Sequence, residues 1–143
     1  MNKPIRIVNE ETCSVEYRLN GKLHRTDGPA EEDDYGTKTW YINGVLHRTD
    51  GPAVEHADGY KAWYVNGKLH RDDGPAVEYP DGYKAWWVDD KLHRTDGPAV
   101  EQPSGIKYWH VNGEGITVCN YKKFVNTYPG LVNQFLAHQV LDE

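Results

Sequence analysis

Cysteine is scarce in this chain: Cys13 and Cys119 are the only two in 143 residues, too few for the disulfide framework of a small secreted domain. Long hydrophobic runs are missing as well. Hydrophobic residues make up 38% of the sequence and the mean hydropathy is −0.81, so no segment nears the ~20 consecutive apolar residues of a membrane-spanning helix. Positive charge is in deficit, with 16 Lys and Arg against 22 Asp and Glu and a net charge of −6. That balance disfavours nucleic acid as a partner, because affinity for a phosphate backbone comes largely from Lys and Arg releasing counterions. Residues 1–11 lack the apolar core of a secretory signal. A reducing cytoplasm is therefore the expected compartment, and both thiols are expected to be buried and inert.

What the chain has in abundance is periodicity. Shifted by 23 residues it falls on itself: His24, His47, His70 and His93 recur, as do Trp40, Trp63, Trp86 and Trp109, and Gly28, Gly51, Gly74 and Gly97. The shared pattern is W-Y-x-N-G-x-L-H-R-x-D-G-P-A-x-E-x-x-x-G-x-K. Ile7, Val8, Val15 and Tyr17 fall where later copies carry Ala, Val, Lys and Trp, which marks a degenerate first copy acting as an N-terminal cap. Repetition at this length signals an array in which each unit buries its neighbour's face.

The turns fix the unit. Asn66-Gly67, repeated as Asn20-Gly21, Asn43-Gly44 and Asn112-Gly113, predicts two-residue hairpins, since both central residues accept positive φ. Pro80-Asp81-Gly82, echoed by Ala57-Asp58-Gly59 and Pro103-Ser104-Gly105, predicts three-residue loops with glycine in the left-handed position. Two turns imply two strands, so Asp-Gly-Pro is a kink or bulge within one long strand; a third turn would reverse every second copy. Register follows. Glu32 faces Lys38, Glu55 faces Lys61, Glu78 faces Lys84 and Glu101 faces Lys107. Ala53 opposes Trp63, Ala76 opposes Trp86 and Ala99 opposes Trp109. Trp63 pairs with His70 and Tyr64 with Leu69, putting indole and imidazole on one face and phenol and leucine on the other. The Trp ladder reads as a stacked core.

After Asn112-Gly113 the period stops. Phe124, Val125, Tyr128, Leu131, Val132, Phe135, Leu136 and Val140 recur at helical spacing around Pro129-Gly130, predicting two short helices that cap the last hairpin or lie along the sheet. The expected architecture is mainly β: a single elongated antiparallel β-hairpin repeat sheet over residues 1–113, then a helical C-terminal cap over 114–143. Exposed hairpin edges are also compatible with a homodimer.

The run D-G-x-K-x-W-Y-x-N-G-K-L-H resembles the MORN-repeat family, whose units are β-hairpins of about this length. The likeness spans residues 6–113 and rests on the aromatic pair before Asn-Gly, the His just after it and the later Asp-Gly turn. Where the usual form alternates glycines, this chain carries His-Arg-x-Asp-Gly-Pro-Ala. In that respect it is similar to a subtype found in proteins of bacteria and large viruses. The resemblance implies a twisted antiparallel sheet serving as scaffold or binding surface, without catalytic residues.

Repetition weighs against a reaction centre. Two strands per unit at ~4.8 Å put equivalent positions roughly 10 Å apart, whereas zinc ligands lie within ~2.3 Å of one ion. No metal site and no cofactor are expected. Each His is expected beside a Trp, bonding a carboxylate or backbone group of the kinked segment. His70 with Asp73 as a carboxylate-held general base is the enzymatic alternative, opposed by its four equivalent copies. The row Arg25, Arg48, Arg71 and Arg94 beside Asp27, Asp50, Asp73 and Asp96 reads as ion pairs stabilising the kink. Its sharper reading is a grip on a planar or phosphorylated ligand by bidentate bonding and stacking. The fourth unit breaks the pattern, with Trp87 for Tyr and Asp89-Asp90 for Asn-Gly. The candidate contact residues are therefore Arg48, Arg71, Arg94, Trp87, Asp89 and Asp90. The expected function is non-catalytic binding of another protein along one sheet face. The alternative is a virus-encoded inhibitor or sponge in the host cytoplasm that blocks a host defence protein or sequesters a small nucleotide messenger.

Overall fold

A computed structural model describes residues 2–141. Ten strands follow chain order across one antiparallel sheet, from Ile5–Asn9 at one edge to Lys107–Tyr108 at the other, with Lys22–Leu23 paired alongside Ser14–Leu19. At ~4.8 Å per strand the array spans roughly 40 Å. The mainly β, single-sheet architecture expected from the repeat is the one that forms.

The register is the one the turns dictate. Glu32, Glu55, Glu78 and Glu101 are partners of Lys38, Lys61, Lys84 and Lys107. Each lysine between units also meets the next glutamate: Lys38 faces Glu55, Lys61 faces Glu78 and Lys84 faces Glu101. Opposite charges therefore alternate along the whole row, which favours this register over a slip that would bring like charges together. The turns behave as expected, with φ of 50° at Asn66, 78° at Gly67 and 99° at Gly82.

Each long hairpin divides at its tryptophan. The Trp63 carbonyl accepts the His70 N–H at 3.1 Å, closing the tip hairpin Tyr64–Val65 with Lys68–Leu69. The Trp63 N–H donates to the Ala76 carbonyl at 2.8 Å, continuing the broad sheet. Residues 71–75, between those two bonds, leave the ladder. The kink expected at Asp-Gly-Pro is thus an arch, repeated where His47 and Ala53 flank Trp40 and where His93 and Ala99 flank Trp86. Successive tips bond to one another, as Gly67 N–H to Leu46 O at 2.8 Å and Arg48 N–H to Tyr64 O at 3.1 Å.

Three expectations need correction. One α-helix forms, Pro129–Leu141, preceded by a short 3-10 turn, Tyr121–Lys123. Pro129-Gly130 opens that helix instead of interrupting it, since proline at a first helical position loses no needed N–H. Secondly, the tryptophans do not form a continuous core: Trp40, Trp63 and Trp86 are half-buried, and only Trp109 is closed off, at 4% exposure. Along the sheet the buried apolar positions are mostly alanines, among them Ala53, Ala62, Ala76 and Ala99 at 0%. The cluster of large buried side chains is at the C-terminal end, where Leu131, Val132 and Phe135 pack on Trp109, Val111, Ile116 and Phe124. Thirdly, Cys13 and Cys119 are exposed, because both lie in connecting segments outside the repeated pattern.

Candidate functional site

The arch exists because an arginine folds back onto its own tryptophan. Arg48, Arg71 and Arg94 each hold the guanidinium carbon 3.9 Å from the ring centroid of Trp40, Trp63 and Trp86. In the cap copy Arg25 does the same over Tyr17, confirming that Tyr17 takes the indole's place. Arg71 Nε donates to Asp73 at 2.9 Å, while Nη1 donates to the Pro75 carbonyl at 3.0 Å and to Glu78 at 3.2 Å. Arg48 and Arg94 repeat all three bonds one unit away on either side. The neighbouring guanidinium holds the Asp27, Asp50 and Asp73 carboxyls below their ordinary value, by hydrogen bond first and charge second.

Glycine in Asp-Gly-Pro is required by the same contact. A Cβ on Gly74 would sit 2.8 Å from the Arg71 guanidinium carbon, and one on Gly97 2.7 Å from that of Arg94. The arginine lies flat against glycine on the arch and indole on the sheet. The ion-pair reading of the row is therefore the geometry found, and these side chains are about one-fifth exposed. At Trp109 the arginine position is Thr117, and the helix takes over: Phe135 and His138 rings lie 5.7 and 5.1 Å from the indole.

The histidines tie tip to tip. His47 Nδ1 accepts the Asn66 N–H and His93 Nδ1 the Asn112 N–H, each at 3.0 Å, so the bonded group is the next unit's turn and not the kinked segment. His70 differs. Asp72 replaces the threonine of other units and lies 3.2 Å from Nε2, while Asp89 lies 3.1 Å from Nδ1. Asp73, the partner expected from the sequence, belongs to Arg71. Asp90 accepts the Leu69 N–H at 2.8 Å, and the Asp89-Asp90 turn keeps positive φ at both residues, 48° and 62°. Among the described residues no three His, Cys, Asp or Glu side chains converge in a way that could hold a metal ion.

Strand alternation separates the candidate residues. Trp86 and Val88 line a cleft of about 640 Å³ with Arg71, His93 and Arg94, whereas Trp87 lines a recess of about 450 Å³ on the opposite face. Tyr60, Val77, Tyr79, Asp81 and Tyr83 complete that recess. Tyr60 and Tyr79 lie 4.7 Å apart between ring centroids at 61°, and Tyr79 and Tyr83 5.5 Å apart at 84°. Tyr79 is 48% exposed. Burial pushes the Tyr60, Tyr64 and Tyr83 phenols up. Trp87 Nε1 is buried without a hydrogen-bond partner among the described residues.

The sequence singles out Trp87 as a candidate but not the residues that surround it, Tyr60, Val77, Tyr79, Asp81 and Tyr83. The signal was present: positions flanking the three-residue turn vary between copies, and aromatics occupy both, Tyr79 and Tyr83, only in the unit that precedes Trp87. Arg48, Arg71 and Arg94 share one face, Trp87 lies on the other, and Asp89 and Asp90 sit at a tip. No protein-family description and no curated protein matches the chain; the chain forms a series of short antiparallel β-hairpins joined in one sheet.

Proposed function

We propose that this chain is a non-catalytic binding module of MORN-like type, which recognises another protein through the aromatic face of its sheet. The observation that carries this reading is the contrast between the two faces. On one, every repeated guanidinium is stacked on a ring and bonded to its own arch. On the other, Tyr60, Tyr79, Tyr83 and Trp87 gather around an open recess. Aromatic side chains supply large contact area at low entropic cost and are enriched in interface cores. The test compares proteins retained by immobilised wild type, Tyr79→Ala and Thr49→Ala, the last altering the opposite face. Loss of a specific partner with Tyr79→Ala alone supports the reading; equal retention by all three rejects it.

A second reading, a sponge for small nucleotide messengers, draws on the clefts between successive arches. Those at Arg48–Arg71 and Arg71–Arg94 hold about 630 and 640 Å³ and carry the same Arg, Asp, Gly, Trp and His lining. Calorimetry with cyclic nucleotides separates the two: a sponge takes up more than one equivalent with no partner protein present.

A further inference from the structure

We propose that the recess around Trp87 is a binding site for an organic cation, in particular the quaternary ammonium group of a methylated lysine on a protein partner. The inference deepens the reading of the aromatic face and rests on that face being the free one.

The recess takes its character from its lining. Four aromatic side chains line it, Tyr60, Tyr79, Tyr83 and Trp87, together with Val77 and one carboxylate, Asp81. The steep angles between successive tyrosine rings, 61° and 84°, turn their planes in different directions, as an enclosure for a rounded group requires and a flat stacking platform does not. The negative ring face attracts a cation, and an aromatic enclosure is the recurring solution for quaternary ammonium groups. A neutral apolar ligand would gain only burial.

Charge selects the sign of the ligand. Asp81 Oδ1 accepts the Tyr83 N–H at 2.9 Å, which fixes the carboxylate beside the rings. Its other oxygen takes no hydrogen bond among the described residues. The lysines of this part of the sheet, Lys61 and Lys84, alternate to the opposite face, where they meet Glu55, Glu78 and Glu101. Among the described residues no cationic side chain lines the recess, and the chain carries a net charge of −6.

Size and placement fit as well. A recess of about 450 Å³ admits a trimethylammonium head with part of its stem and is too small to bury a folded element. Its aromatics come from three consecutive units and arise where copies differ: the position of Tyr79 is His56 and Gln102 in its neighbours, and that of Trp87 is Tyr64 and His110. Among the described residues this combination of aromatics therefore occurs once in near-identical units, which suits recognition of a single side chain.

The probe is choline, with its neutral isostere 3,3-dimethylbutan-1-ol as control, followed by the indole N–H resonance of Trp87 and by tyrosine ring resonances. Choline is expected to shift Trp87 and to bind at least about ten-fold more tightly than the isostere. Tyr79→Ala, at an exposed position, and Asp81→Asn should each weaken choline several-fold while leaving the circular dichroism unchanged. Equal affinity for choline and isostere overturns the proposal, as does a Trp87 resonance that tens of millimolar choline leaves in place, or full affinity in folded Tyr79→Ala. Choline binding with no Tyr79-dependent protein partner would uphold the site and remove the protein-binding reading. A Tyr79-dependent partner without choline binding would do the reverse.

Discussion

Replacing Arg71 by alanine removes four contacts that the arch cannot replace. The guanidinium stacks on the Trp63 ring at 3.9 Å, donates to the Pro75 carbonyl at 3.0 Å, and pairs with Asp73 and Glu78. Stacking on a half-buried ring contributes about 0.5–2 kcal/mol, and a charged donor to a carbonyl about 1.5 kcal/mol. Asp73 is largely exposed, so solvent screens its pair and that contact adds little. Because these contacts share one side chain they do not simply add, and the net loss should be about 2–3 kcal/mol. For a chain of this size that lowers Tm by roughly 5–10 °C. Thermal unfolding followed by tryptophan fluorescence reads it. Arg48→Ala and Arg94→Ala should cost the same within error, since their bonds repeat. Arg25→Ala should cost less, because Arg25 covers tyrosine, reaches Pro29 O at a longer 3.3 Å and has no glutamate partner among the described residues. A shift below about 1 °C for Arg71→Ala, or an Arg25→Ala as severe as the others, would refute the account of the arch.

Gly74→Ala should destabilise the wild type by about 1–2 kcal/mol by pushing the guanidinium off its ring, yet be neutral or slightly stabilising once Arg71 is alanine. A double-mutant cycle in urea measures that coupling. Phe135→Ala at the helix should cost about 3–5 kcal/mol and shift Trp109 emission to the red, since it opens the large-side-chain cluster. Acidification should weaken the C-terminal end. Burial pulls the His110 pKa down from 6.5, so its contribution is complete above that pH and is lost as the pH falls toward the folded-state value. His110→Phe should flatten the drop in Tm between pH 7.5 and 5.5. Both cysteines should react with a thiol reagent in the native state at rates near those of the unfolded chain.

Most of the fold was legible because it is local. Asn-Gly and Asp-Gly turns fix register within a few residues, and the 23-residue period then propagates it, so the Glu–Lys row and the opposed faces of Trp63 and Tyr64 follow from counting. The arginine row was legible as ion pairs because Arg and Asp lie two apart in every copy. The meaning of glycine in Asp-Gly-Pro was not, since it depends on a guanidinium reaching back eight residues to an indole. Nor was the exposure of Cys13 and Cys119, which is set by what fails to pack over their loops.

The sequence by itself therefore determined the unit, its turns, its register and its repetition, all consequences of backbone preference and strand alternation over short distances. Tertiary structure decided what covers Trp40, Trp63, Trp86 and Trp109, arginine along the array and helix at its end. It also decided which candidate residues meet. Trp87 and the arginines are neighbours in the repeat but face opposite ways, whereas Tyr60, Tyr79, Tyr83 and Trp87 come together only when three successive units lie side by side, because such contacts depend on the pairing of strands and not on spacing along the chain.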